Sequence, residues 1–206
     1  MPTLSRSGLH RLYQRHGISN LSRSAEPVRE KKAFKRYPLG YLHIDITEMH
    51  TAEGKAYLFV AIDRTSKFVY AELHEQMMRK DAVSFLEATL KKLPYKVTSV
   101  LTGNGMQFAK KNGTESYRAH PFDAVCYRQG IEHWLTKPFH PWTNGQVERI
   151  NRTISKTFHY ASLKQLQEHI KDYLWAYNSA RPLRSLERQT PIGFSSSNGI
   201  NNHSSF

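Results

Sequence analysis

The chain has 206 residues, enough for one well-filled core with a small satellite at an end. Thirty Lys and Arg against seventeen Asp and Glu give a formal net charge of +13, spread along the sequence, which points to a polyanionic partner more than to bare solubility. The single cysteine, Cys126, excludes an intrachain disulfide and a cysteine-built zinc site, and no apolar run reaches the length of a membrane span or a signal-peptide core, so a soluble protein of a reducing compartment is expected.

Residues 5–16 read as a short basic helix with Leu9, Leu12 and Tyr13 on one side, stopped by Gly17. Residues 23–37 hold Arg29, Lys31, Lys32, Lys35 and Arg36 with few apolar neighbours and read as a basic linker; a solvated tether and a phosphate-contacting arm fit that composition equally. Three strand-like runs follow at 41–49, 57–63 and 68–73, joined closely enough for an antiparallel meander. A helix over 81–92 carries Ala82, Val83, Phe85, Leu86 and Leu90 on its apolar face, with Pro94 beyond it. It leads to a fourth strand at 97–101, and a helix between strands implies a parallel crossover. Residues 122–129 form the next helix, closed by Gly130, and 131–135 a fifth strand. Asn144 then opens a long helix, and 163–177 makes another. The order βββαβαβα plus a C-terminal helix predicts an α/β domain over 38–196, and the Asn-, Ser- and Gly-rich tail at 197–206 reads as disordered.

Asp45 lies mid-strand between Ile44 and Ile46, so alternation turns it away from both apolar neighbours. An ion pair is the plain use of such an acid. The stretch His140-Pro141-Trp142-Thr143-Asn144-Gly145-Gln146-Val147-Glu148-Arg149-Ile150-Asn151-Arg152-Thr153 makes Asn144 an N-cap and puts Glu148 in the first helical turn, where the helix dipole favours its charge. Two arginines follow, which suits phosphate. Hard divalent cations prefer clustered oxygen ligands, and in-line displacement at phosphorus uses two such ions roughly 3.5 to 4 Å apart. Asp63 begins Asp63-Arg64-Thr65-Ser66, a tight-turn sequence in which Asp bonds the backbone two residues on, and is left out of the site.

Together with Tyr41-Leu42-His43-Ile44-Asp45-Ile46-Thr47 and Leu101-Thr102-Gly103-Asn104-Gly105-Met106-Gln107-Phe108, the Asn144 stretch closely resembles the integrase core of bacterial insertion-sequence transposases, the DDE recombinases of the IS481/IS3 type, over nearly the whole chain. The resemblance implies an RNase H-like fold, a mixed five-stranded sheet flanked by helices. It also implies a transposase or integrase that cleaves a phosphodiester with water and joins the freed 3′-hydroxyl to target DNA. Mg²⁺ or Mn²⁺ would be the cofactor, DNA the partner, a dimer or higher multimer the working form, and the bacterial cytoplasm, with no membrane, the location. Asp45 and Glu148 would be the catalytic, metal-binding acids.

In that family the second motif reads Thr-Asp-Asn-Gly and its Asp completes the triad; Gly103 stands there in this chain. Two negative charges in place of three imply weakened metal binding and impaired catalysis. Neither Asn104, which alternation turns to the other face, nor Asp63 is expected to substitute. DNA contacts are expected at Lys137, His140, Asn144, Arg149, Arg152 and Lys156. Residues 1–22 resemble the remnant of an N-terminal helix-turn-helix, which implies weak or absent sequence-specific binding. The helix after Glu148 is about one turn shorter than in relatives with the same Phe158-His159-Tyr160 ending. Trp134, Trp142, Trp175 and Tyr177 are expected to pack in the core or between subunits, with stacking on unpaired bases as the other use. The alternative function is a non-catalytic DNA-binding or subunit-mixing protein that regulates active transposase. A nuclease of the RNase H type acting on RNA would share the fold but not the Asn144 to Arg152 motif.

Overall fold

The computed structural model describes residues 5–18, 37–110, 120–136, 145–156 and 160–199. The chain divides into two compact units, residues 1–35 and 36–206. In the first, α1 (Arg6–Arg15) starts where the Ser5 hydroxyl accepts a bond from the Gly8 amide, and none of its residues is buried. Gly17, at φ +66°, follows its end.

The second unit is built on one sheet. Its strands β1 (Tyr41–Thr51), β2 (Gly54–Asp63), β3 (Val69–His74), β4 (Ser99–Thr102) and β5 (Glu132–Leu135) lie in the order β3-β2-β1-β4-β5. β1 pairs antiparallel with β2, and β2 with β3, while β4 runs parallel to β1 and β5 parallel to β4. This is the mixed five-stranded sheet expected from the order of elements. The β1–β2 hairpin runs further than alternation suggests, pairing out to Thr51 and Gly54. Its extension carries His50 and Lys55, which are exposed, so the apolar signal fades while the backbone ladder continues.

Alternation along β1 and β2 makes two cores. Leu42, Ile44, Phe59 and Ala61 face α2 (Arg79–Lys92) and α3 (Pro121–Arg128), burying Ala82, Phe85, Leu86, Phe122, Val125 and Cys126. On the opposite face Met49, Leu58, Val60 and Ile62 meet α4 (Gly145–Lys156) and α5 (Leu163–Trp175) through Val147, Ile150, Ile154, Leu166 and Ile170. The α4 residues recur at i, i+3 and i+7, one stripe of a helix, and full burial of each such side chain is worth roughly 1.5 to 3 kcal/mol.

Two connections fix where β1 begins. Gly40, at φ +89°, passes so near the Lys96 carbonyl that a Cβ would lie 2.3 Å from it. Its amide donates to Asp63 Oδ2 at 2.7 Å, while Asp63 Oδ1 accepts from Thr65 and Ser66 at 2.8 and 2.7 Å. Asp63 is therefore a buried turn residue, as its sequence context implies.

After α5 the helix widens into a π turn at Ala176–Ala180, two residues before the expected end of a regular helix, and a short 3₁₀ turn at Arg184–Leu186 leads to α6 (Pro191–Gly199). Sequence reading did not anticipate α6, which runs into the segment expected to be tail. The basic linker expected over 23–37 lies outside the described residues except for Tyr37. Among the described residues no helix is long and apolar enough to cross a membrane.

Candidate active site

Asp45 stands on the α4 face of β1, half-buried, with Tyr41, His43 and Met49 on the same side by alternation. Opposite it, α4 offers its apolar stripe with one polar member. Asn151 is 5% exposed and donates from Nδ2 to Asp45 Oδ2 at 3.2 Å. Its Oδ1 is buried without a partner. Glu148, one turn earlier on α4, is exposed, and its charge reaches Asp45. Burial above all, and then Glu148, raise the Asp45 carboxyl above the usual carboxylate range against the stabilising Ile46 amide. A second carboxylate whose charge reaches the half-buried Asp45 makes an arrangement that a cation would relieve.

His43 lies two residues before Asp45 and is buried. Arg64 Nη1 faces its Nε2 at 3.4 Å, so Nε2 accepts and the proton belongs on Nδ1, which has no partner. Burial first, then the nearby Arg64 and Lys67 charges, push the imidazole down to about 4, and it is neutral at pH 7.

Gly103 follows the last residue of β4. Because His43 pairs with Leu101, the parallel register carried two residues on sets Gly103 opposite Asp45. A Cβ at Gly103 would meet nothing within 4 Å, and its φ is not in the left-handed region. The missing side chain is thus not imposed by packing. Asn104 turns its amide to the Thr136 carbonyl at 2.8 Å, bridging the ends of β4 and β5. Asp63 is committed to its turn.

Sequence reading missed the relay that holds the end of β4. Asp123 on α3 bonds His133 Nδ1 at 2.5 Å, and His133 Nε2 meets Thr102 Oγ1 at 2.8 Å. Thr102 in turn donates to the Gly103 carbonyl at 3.1 Å. Nothing in the spacing of these residues announces it, because three elements supply one side chain each. Asn151 did carry a signal: a polar residue four positions after Val147 on an otherwise apolar stripe.

Of the expected DNA contacts, Arg149 and Arg152 are exposed on α4. Lys156 ends that helix, with its side chain outside the described residues. Lys137, His140 and Asn144 lie outside the described residues, as do residues 157–159, which bear on the expected shortening after Glu148. Trp134 and Trp175 are exposed, so neither packs in this chain's own core, and Trp142 lies outside the described residues. Among the described residues no group of three or more His, Cys, Asp or Glu could hold a metal ion.

Comparison with known proteins places this geometry. The integrase core domain family matches residues 35–141, and a second integrase core domain family matches residues 129–191. ORF3 of Spiroplasma virus SpV1-C74, which carries the name integrase, is 24% identical over 182 residues, covering 80% of this chain and 50% of the viral protein. The chain therefore spans about half the length of that relative. Among solved structures, the catalytic core domain of BIV integrase superposes with a TM-score of 0.60 at 19% identity, covering 81% of this chain and 99% of that one. The HTLV-2 integrase catalytic core domain in complex with magnesium superposes with a TM-score of 0.59 at 19% identity over 77% of this chain and 97% of its own. These likenesses give the RNase H-like fold, and the family matches give the lineage: the chain belongs to the integrase core domain family, the catalytic core shared by integrases and transposases.

Proposed function

We propose that residues 38–196 are the catalytic domain of a DDE-type transposase that acts on DNA as a dimer or higher multimer in the bacterial cytoplasm, and that Gly103 impairs its own chemistry. The observation that carries this reading is the pairing of Asp45 on β1 with Glu148 on α4, beside a strand end that supplies no third acid. Residues 1–22 are read as part of a helix-turn-helix, 23–37 as the basic linker and 197–206 as the tail.

The donor set suits a hard cation. Asp45 and Glu148 offer carboxylate oxygens at one place and repel each other without a counter-charge. They would hold a Mg²⁺ or Mn²⁺ ion, though with fewer charges than a triad. Such an ion, when bound, polarises the scissile phosphodiester and lowers the pKa of an attacking water. Asn151 fixes the Asp45 carboxylate through its 3.2 Å bond. Arg149 and Arg152, with Lys137, His140, Asn144 and Lys156, contact DNA phosphates and set the strand's position. A second reading is favoured by Gly103 itself: a non-catalytic subunit that enters multimers of active transposase and regulates them.

Mn²⁺-dependent nicking of supercoiled plasmid tests the first reading, with the natural protein beside Gly103→Asp, and Glu148→Gln added to the latter. Because changes to groups merely supporting metal ligands cost about 10 to 100-fold in metal affinity or activity, restoring a ligand raises activity by at least that much. The expected result is nicking by Gly103→Asp alone, abolished by Glu148→Gln. Equal nicking by the natural protein overturns the impairment, and no nicking by any variant overturns the catalytic assignment.

A further inference from the structure

We propose that Trp134 is a platform on which an unpaired base of the DNA strand stacks beside the Asp45 and Glu148 acids. The inference rests on the DNA-acting reading above and adds which chemical face of the strand is gripped and where. Trp134 pairs with Leu101 in the β4–β5 register, and Leu101 with His43, so the three residues form one row on the face that carries Asp45. Among the described residues α4 packs chiefly on β1 and β2, and Trp134 is 54% exposed at this sheet edge. Leu101 beneath it is buried. With strands about 4.8 Å apart and about 3.3 Å of rise per residue, Trp134 lies about 12 Å from Asp45 across the sheet. That distance is about three to four stacked nucleotides at 3.4 Å each, and fewer where the strand is splayed.

The polar edge of the ring is already committed, since Nε1 donates to Glu132 Oε2 at 3.3 Å. This bond orients the indole, and more than half of the residue's surface stays open to solvent. Glu132 also places a carboxylate beside the ring, which repels a phosphate but not the face of a base. A paired duplex hides those faces. Trp134 therefore selects bases freed by fraying or extrusion on the Asp45 and Glu148 side of the sheet, and stacking of this kind tolerates any base.

The test uses the full chain and its Trp134→Ala and Trp134→Phe variants, without divalent metal, on two DNAs of one sequence. One has a fully paired end, and the other an end unpaired over three nucleotides with 2-aminopurine among them. Affinity is read by anisotropy, and stacking by quenching of 2-aminopurine emission. The natural protein should prefer the frayed end and quench the probe. Trp134→Ala should lose roughly 5 to 150-fold on the frayed DNA, lose the quenching, and keep its affinity for the paired DNA; Trp134→Phe should retain most of both signals. The side chain is at the surface, and far-ultraviolet circular dichroism of both variants confirms folding. Equal losses on the two DNAs, or none on either, overturn the platform and leave the DNA-acting reading standing. If the natural protein binds neither DNA, both fall.

Discussion

His43 and Asp45 sit two residues apart on one face of β1, and burial drives each toward its neutral form. For His43 the folded value of about 4 lies below the ordinary 6.5, so the fold excludes a proton that the unfolded chain accepts. The stability this represents is present above pH 6.5 and lost as the pH falls through 4, on the order of 3 kcal/mol in all. His43→Gln, which can still accept from Arg64 and carries no charge, should flatten the decline in urea midpoint between pH 7 and pH 4. An unchanged slope would mean that His43 is not the group that titrates. Asp45 works with the opposite sign: its carboxyl is raised by burial and then by Glu148, so its share of stability is present at low pH and lost as the pH rises through the raised value. Sequence reading isolated Asp45, Glu148 and Gly103 because each sits in a local motif. It also placed Asp63 in a turn, since that bonding is local. The Asn151 contact to Asp45 spans 106 positions, and only the packing of α4 across β1 creates it.

Among the elements, β3 is an edge strand whose start is closed by a side chain. Asn178, set inward by the π turn after α5, accepts from the Val69 amide at 3.0 Å and donates to the Val69 carbonyl at 2.7 Å. One amide side chain thus completes what a neighbouring strand would otherwise supply. Asn178→Ala strands a buried donor and a buried acceptor together, and should lower unfolding stability by about 2 to 4 kcal/mol in a urea titration. A change below about 0.5 kcal/mol would show that water replaces the amide. The strands and α2 to α5 were legible because their apolar periodicity matches their geometry. α6 was not, because Pro191-Ile192-Gly193-Phe194-Ser195-Ser196-Ser197-Asn198-Gly199 lacks strong helix formers. Its start is capped by the Thr190 hydroxyl, which accepts from the Gly193 amide at 3.1 Å, while Ser195, Ser197 and Asn198 donate back one turn to the Pro191, Gly193 and Phe194 carbonyls at 2.7, 3.0 and 2.9 Å, a habit that weakens a helix slightly.

Over the whole molecule, the formal charge of +13 makes salt the informative variable. A protein meeting about four phosphates loses at least about 100-fold in DNA affinity between 50 and 200 mM salt, because each contact releases condensed counterions. Binding to mixed-sequence DNA should show that dependence, and Arg149→Ala combined with Arg152→Ala should reduce the slope of log affinity against log salt by about 2. A flat response would sink every reading in which the chain grips DNA. An unchanged slope in the double variant would move the contact surface off α4.

The open space around Gly103 uncouples chemistry from quality control. A Cβ gained there meets no atom within 4 Å, and a glycine there leaves both cores intact. Chaperones and proteases, which respond to exposed core and lost stability, have nothing at this position to respond to. On packing alone, a copy with Gly103 and a copy with Ala at that place would accumulate to the same level, so their ratio in a cell would follow gene dosage and transcription.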